Sequence, residues 1–286
     1  MPNRTAIALL VLVLAAGAAA AEPVPPGGAP DVVSARTLGL SSTIGVAAAN
    51  DAIYVNPAAI ASRKRYSIEA LGFADRRGAE TVDRFYGASV VDSVTSPVSA
   101  GVSFLREQGD TYTGNLFDLV LAGPVSQGIY LGTTGKLYSL HGRTDYQAAN
   151  VDAGLFWQLT ELVSLGVVGY NLVPGGNAAV APTMAGAGLA IGSDRIFQVT
   201  GDWRADFDRH GGKVSNRYAV GAEALIAKLV PVRAGFLKDD TLGTNWWSAG
   251  AGIVTPVGAV ELGYRQSTSD PSARTLAASI KFFIPQ

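Results

Sequence analysis

The most constraining feature of this sequence is a series of segments, each roughly ten residues long, in which apolar side chains alternate with small or polar ones. In one of them Phe197, Val199, Trp203, Ala205 and Phe207 share a face, and Gln198, Thr200, Asp202, Arg204 and Asp206 take the other. Period 2 belongs to strands, because successive side chains leave a pleated strand on opposite sides. A strand in water also alternates, but its apolar face must then cover a core. Here nearly every segment carries the pattern, and no helical block interrupts the glycine-rich punctuation between them. A sheet closed on itself, apolar outside and polar inside, puts lipid where that core would be. The fold class is all-β, a transmembrane antiparallel β-barrel.

The alternation predicts about fourteen strands, beginning near Tyr66, Phe85, Val98, Leu116, Ile129, Val151, Val163, Met184, Phe197, Tyr218, Val230, Trp247, Ala259 and Thr275. Short connectors are expected at Thr95–Pro97, Pro124–Gly128, Thr160–Leu162, Ser193–Arg195, Ala227–Leu229 and Pro256–Gly258. Longer polar ones are expected at Ala74–Arg84, Glu107–Thr113, His141–Asn150, Pro174–Thr183, Asp208–Asn216, Asp239–Asn245 and Ser267–Arg274. The two kinds alternate, as short periplasmic turns and longer outside loops do in Gram-negative outer-membrane barrels, which places both termini in the periplasm.

The same parity assigns facing. Val98, Ala100, Val102 and Phe104 point to lipid, as do Phe117, Leu119 and Leu121, then Val151, Ala153, Leu155 and Trp157, and finally Leu276, Ala278, Ile280 and Phe282. Charges take the opposite parity and face the lumen: Glu69, Asp118, Lys136, Asp152, Asp202, Arg204, Arg217, Glu223, Arg233, Glu261, Arg265 and Lys281. An Arg or Lys on the lipid face near the midplane costs about 2–4 kcal/mol, which is the physical cause of this segregation. Tyr66, Tyr86, Trp157, Trp203, Tyr218, Trp246, Trp247 and Tyr264 are read as aromatic girdle residues at the headgroup level.

Composition agrees with an exported membrane protein. The chain has 34 glycines, 16% charged residues and a mean hydropathy of +0.23. A net charge of −1 supplies no basic stripe for nucleic acid. With no cysteine, thiolate chemistry and cysteine-held metals are excluded. Arg4, the apolar stretch Ala6–Leu14 and the small residues Ala15–Ala21 read as a signal peptide over 1–21. The uncharged stretch Val163–Ser193 is divided by Asn171, Pro174, Gly175, Gly176, Asn177 and Pro182 into pieces about half the length of a spanning helix.

Between the signal and the barrel (65–286) lies a lead and small-residue segment over 22–64, nearly uncharged between Thr37 and Asn50. A free tail would be more polar, so this segment is expected to fold into the lumen. The run Arg36–Ala61, with Gly39, Gly45, Ala47, Asn50-Asp51-Ala52 and Tyr54-Val55-Asn56-Pro57-Ala58, resembles the N-terminal hatch of FadL-like outer-membrane proteins, a superfamily that includes the PorV/PorQ-type proteins. The resemblance implies a fourteen-stranded barrel whose lumen is occupied by a hatch built on Gly39, Gly45, Asn50, Asp51, Asn56, Pro57 and Ala58, with Asn56 and Pro57 fixing a turn. Long-chain fatty-acid members carry elaborated outside loops. The connectors here are about a dozen residues or fewer, closer to a small PorV/PorQ-like chain.

Catalytic machinery is not expected. The two histidines, His141 and His210, fall in predicted outside loops, and Ser139 beside His141 is only a strand neighbour. Asp202/Asp206 and Asp239-Asp240 read as a solvated acidic rim, so neither a metal nor a cofactor is called. Three readings remain: a channel for small hydrophobic solutes gated by the hatch, a PorV/PorQ-like scaffold that binds or presents exported proteins, or a purely structural barrel.

Overall fold

The computed structural model describes residues 34–284 apart from 77–81, 111, 143–144, 174–177, 179 and 211–212. The expected signal peptide and the start of the lead lie outside the described residues. Fourteen strands close into one antiparallel barrel, each hydrogen-bonded to its sequence neighbours, with the last strand pairing back onto the first. They are β1 Tyr66–Arg76, β2 Val82–Asp92, β3 Ser99–Gln108, β4 Thr113–Ser126, β5 Ile129–His141, β6 Tyr146–Gln158 and β7 Val163–Tyr170. Then come β8 Met184–Ser193, β9 Phe197–His210, β10 Lys213–Ile226, β11 Val230–Asp239, β12 Thr244–Thr255, β13 Gly258–Ser267 and β14 Arg274–Ile284. Closure runs in unbroken register from Tyr66 opposite Ile284 to Arg76 opposite Arg274, leaving no sheet edge.

Strand β14 shows the pattern in its plainest form. Its residues alternate exposed and buried from end to end, with Leu276, Ala278, Ile280 and Phe282 outside and Thr275, Ala277, Ser279, Lys281 and Phe283 inside. Across the barrel the exposed large apolar residues form a continuous outer belt that includes Phe104, Leu119, Val167, Val220 and Leu262. Among the described residues no helix is long and apolar enough to cross a membrane, so the strands and this belt do so.

Two expectations are corrected. Strands shorten most of the long connectors: β1 continues through Arg76, β2 begins at Val82, β6 begins at Tyr146, and β9 and β10 run to His210 and from Lys213. Only the β7–β8 connector, residues 171–183, keeps its length. The β2–β3 turn, residues 93–98, equals or exceeds the other connectors at the opposite end. Apolar alternation stops where strands rise above the lipid, but the ladder hydrogen bonds continue because each strand still has two neighbours. The second correction is Trp246. Adjacent strand residues face opposite ways, so it cannot share the girdle with Trp247; it is buried inside, its ring 5.1 Å from the Arg265 guanidinium. Trp247 remains outside, with its ring 5.3 Å from that of Tyr264.

Residues 34–62 lie inside the barrel. Helix α1, Ala35–Leu40, packs against β10–β14, and the 3-10 helix Pro57–Ser62 packs against β3–β6, so the segment spans the lumen. Between them sits the one-turn helix α2, Ala52–Val55. Ser34 caps α1 by exchanging hydrogen bonds with Thr37, and the helix stops at Ser41, whose φ of 57° is left-handed. Asn56 caps the 3-10 helix, accepting from the Ala58 N–H, and Pro57 follows at a first-turn position where no N–H is needed.

Candidate functional site

The lumen and its inserted segment form the site. The wall receives the segment on a bed of glycines. On eight of the nine strands β5–β13, a lumen-facing glycine lies directly against it: Gly132, Gly154, Gly166, Gly188, Gly221, Gly235, Gly250 and Gly263. A Cβ on Gly166 would run into the Ile44 carbonyl, one on Gly221 or Gly235 into the Leu40 carbonyl, and one on Gly263 into the Ala35 carbonyl. The fit is mutual, since a Cβ on Gly45 would stand 2.7 Å from the Gly188 backbone and one on Gly39 3.0 Å from Gly250 Cα. Read along the chain, these glycines look like turn punctuation. Aligned strand by strand, their shared inward parity within six residues of the short-turn ends is the signal that could have found the bed.

Polar side chains of the wall then bind the segment's backbone. Asp202 Oδ2 accepts from the N–H groups of Thr43 (2.6 Å) and Ile44 (2.9 Å), although it was read as an ordinary lumen charge. Ser248 donates to the Gly39 carbonyl (2.9 Å), Ser164 to Gly45 (2.7 Å), Thr200 to Ser42 (3.1 Å) and the Tyr170 hydroxyl to Val55 (2.6 Å). Going the other way, the Asn56 amide donates to the carbonyls of Ile44 and Leu155, both at 3.1 Å, bridging segment and wall. Asn50 donates to Ser89 Oγ (2.8 Å) and accepts from Ser67 (2.6 Å). Pro57 and Ala58 rest on Gly154 and Gly132. These serines and threonines carried no sequence signal beyond their parity.

On the short-turn side of the segment the charges interlock. Arg36 holds Glu223 in a two-point contact (2.9 and 3.3 Å), and Glu223 also pairs with Arg233. Arg233 reaches Glu261 at 2.5 Å, and Glu261 meets Lys281 at 3.1 Å. Lys281 also contacts both oxygens of Asp51 (3.0 and 3.1 Å) and lies 3.5 Å from Glu69, which is fully buried. Asp194 in the β8–β9 turn adds Arg63 at 2.6 Å and Arg36 at 3.9 Å. The network therefore joins Arg36, Asp51 and Arg63 of the segment to five strands and a turn. It borders a cavity of about 230 Å³.

The other side differs. An apolar cluster of Leu38, Leu71, Phe73, Phe85, Leu105, Leu116 and Tyr138 lines one flank, with Phe73 and Phe85 stacked at 4.2 Å between ring centroids. The β7–β8 connector turns inward and seats Ala181 in this cluster, with Val180 and Ala181 both buried. Asp152 secures the connector by accepting from the Asn171 N–H (2.8 Å) while pairing with Lys136 (2.5 Å). Below the connector is a cavity of about 110 Å³ lined by Leu38, Tyr54, Leu116, Asp118, Lys136 and Arg204, among others. Arg217 pairs with Asp239 (3.0 Å) beside it, and Arg265 bonds Thr275 (3.2 Å).

A void of about 10 Å³ inside the segment lies between the two cavities. It shares Thr43 and Val55 with the first and Arg36, Ala48 and Asp51 with the second.

Outside the lumen, Ser139 Oγ lies 2.8 Å from His141 Nε2, and His141 Nδ1 lies 3.4 Å from Asp145. This trio sits on the exposed rim, the imidazole and carboxylate side chains 45% and 70% accessible, without the burial that activates a serine. His210 ends β9. The reading of a solvated acidic rim is corrected: Asp202, Asp206 and Asp239 are buried inside the barrel, and only Asp240 of the four is exposed, pairing with Lys238 at 3.2 Å. Among the described residues no three His, Cys, Asp or Glu side chains converge as metal ligands.

This architecture defines a class: a closed outer-membrane β-barrel with an N-terminal segment seated in its lumen. Its fold is that of the FadL-like channels. The CymD monoaromatic hydrocarbon channel superposes with a TM-score of 0.64 at 15% identity, over 89% of this chain and 97% of that one. The Ralstonia pickettii toluene transporter TbuX gives 0.66 at 11% identity, over 88% and 98%. A Pseudomonas aeruginosa FadL homologue gives 0.65 at 12%, over 87% and 98%. The first two of these neighbours are named as a channel and a transporter. No protein-family model matches the sequence, and no curated protein matches it.

Proposed function

We propose that this chain is an outer-membrane channel for small hydrophobic solutes and that residues 34–62 act as its hatch, with both termini in the periplasm. The observation that carries the reading is the line of three cavities through the lumen, which meet at Thr43 and Val55 on one side and at Arg36, Ala48 and Asp51 on the other. A solute entering from the loop end meets an apolar flank. It then needs a displacement of the segment around Val55 and the loosening of the Arg36 and Asp51 ion pairs to reach the far cavity. The hydrocarbon and toluene channels that share the fold support the solute class. No contact among the described residues favours a scaffold for exported proteins over this reading.

The test is planar-bilayer conductance of the mature chain beside a variant lacking 31–60, together with toluene entry into proteoliposomes. The full chain should be silent to ions and pass toluene faster than empty vesicles, and the deletion should conduct. Two silent chains with toluene entry at background would overturn the channel reading.

A further inference from the structure

On the outer face of the barrel, at the loop end, four consecutive strands each place one arginine: Arg274 on β14, Arg76 on β1, Arg84 on β2 and Arg106 on β3. All take the outward parity of Leu276, Ala74, Tyr86 and Phe104, which stand two residues nearer the apolar belt. Closure of the barrel sets Arg274 directly opposite Arg76. Arg84 lies opposite Ala74, hence diagonal to Arg76, and Arg106 lies opposite Tyr86, diagonal to Arg84. Opposite and diagonal neighbours have Cβ atoms about 5–8 Å apart, so the four form one patch about 14 Å wide across the wall. The carboxylates interleaved with them point the other way: Asp83 and Glu107 are buried inside, and Asp75 accepts from Thr275 at 2.7 Å. Arg106 is held along the outer face by donating to Asn115 Oδ1 (2.9 Å). On β11 of the same rim, by contrast, Lys238 is matched by Asp240 at 3.2 Å.

We propose that this patch binds the phosphorylated glycolipid of the outer leaflet, with its phosphates on the arginines and its acyl chains on the belt below. Like charges side by side on one face destabilise a sheet, and an anion set against them offsets that cost. The anion belongs to a lipid, because each arginine stands only about 7 Å along its strand from a side chain that faces acyl chains. It is a phosphate, whose oxygens accept from a guanidinium fork at two points. Breadth separates the glycolipid from an ordinary phospholipid. Cations spread over four strands suit a disaccharide headgroup carrying two phosphates better than a single phosphodiester. The proposal rests on the loop end facing outward, as in the channel reading, and is independent of what passes through the lumen.

The test is binding of fluorescent bisphosphorylated lipid A to the full chain in neutral detergent. The competitors are its unlabelled form, its dephosphorylated form, phosphatidylglycerol and inorganic phosphate. The bisphosphorylated lipid should compete at least about tenfold better than the other three, and its binding should weaken as salt rises. Arg84→Gln combined with Arg274→Gln should lower its affinity about tenfold or more, while Lys238→Gln leaves it unchanged. Both arginines are exposed, so the double variant should keep the circular dichroism and unfolding midpoint of the barrel. Equal competition by any of the other three, or an affinity unmoved in the folded double variant, would overturn the proposal. Orientation is decided separately by labelling Asp110→Cys on intact cells with a membrane-impermeant maleimide, since the chain has no native cysteine. A labelled thiol supports the outer leaflet, and a protected one overturns it.

Discussion

The two sides of the inserted segment are built on opposite principles. Toward the short turns, Arg36, Asp51 and Arg63 are tied to the wall through Glu223, Arg233, Glu261, Lys281 and Asp194, each charge meeting at least one opposite partner. Toward the loops, the same segment presents Leu38, Tyr54 and Val55 to a half-apolar cavity. The first side is a fastening, because moving the segment takes Arg36 and Asp51 away from buried partners of opposite charge. The second is a receptacle in shape, a partly apolar cavity between the segment and the β7–β8 connector. On the proposed channel reading, a segment held from below and bordered by a cavity above is arranged to respond to a solute arriving from the loop side.

The strongest way to break this contrast is to remove the segment's freedom. Ser41 and Ser248 hydroxyls lie 2.8 Å apart, and the chain has no native cysteine. The double variant Ser41→Cys, Ser248→Cys should cross-link under oxidation and abolish toluene entry, with recovery on reduction. Entry unchanged by the cross-link would show that solute passes without movement of α1. Next in size, Lys281→Met strands Asp51 and Glu69 and leaves Glu261 with Arg233 alone, so barrel stability should fall by about 3–5 kcal/mol in urea unfolding. Leu38→Ala on the receptacle side should cost less, near the low end of about 2–5 kcal/mol, because the side chain already borders a void. If Leu38→Ala proves the costlier, the fastening lies above the segment and not below it. Smallest of all, Tyr54→Phe should shift unfolding by no more than about 1 kcal/mol, since the neighbour of its hydroxyl, Ser103, keeps its own bond to Asp118. A loss well beyond that would mean that the hydroxyl ties α2 to the wall.

Much of the barrel was legible before any coordinates. Fourteen strands follow from the alternation, and Leu276, Ala278, Ile280 and Phe282 lie outside with Lys281 inside, as parity requires. The connectors were misjudged because strand pairing continues where apolar patterning ends. Trp246 was misplaced because an aromatic name was allowed to outweigh the parity of its neighbour Trp247.

By itself, the sequence determined what each residue could do within its own strand: period 2 settles inside or outside, and the cost of a charge in lipid enforces it. Only the tertiary structure decided who meets whom across the lumen. Asp51 reaches Lys281, and Arg36 reaches Glu223, because closure of β14 onto β1 brings distant parts of the chain to one height around one axis. The glycine bed depends on the same closure. Gly166, Gly221 and Gly263 are unremarkable in a linear sequence and become contacts only when the ring turns them toward one inserted backbone. Alternation repeats every two residues and carries no information about a partner on the far side of a barrel, whereas register and closure specify that partner.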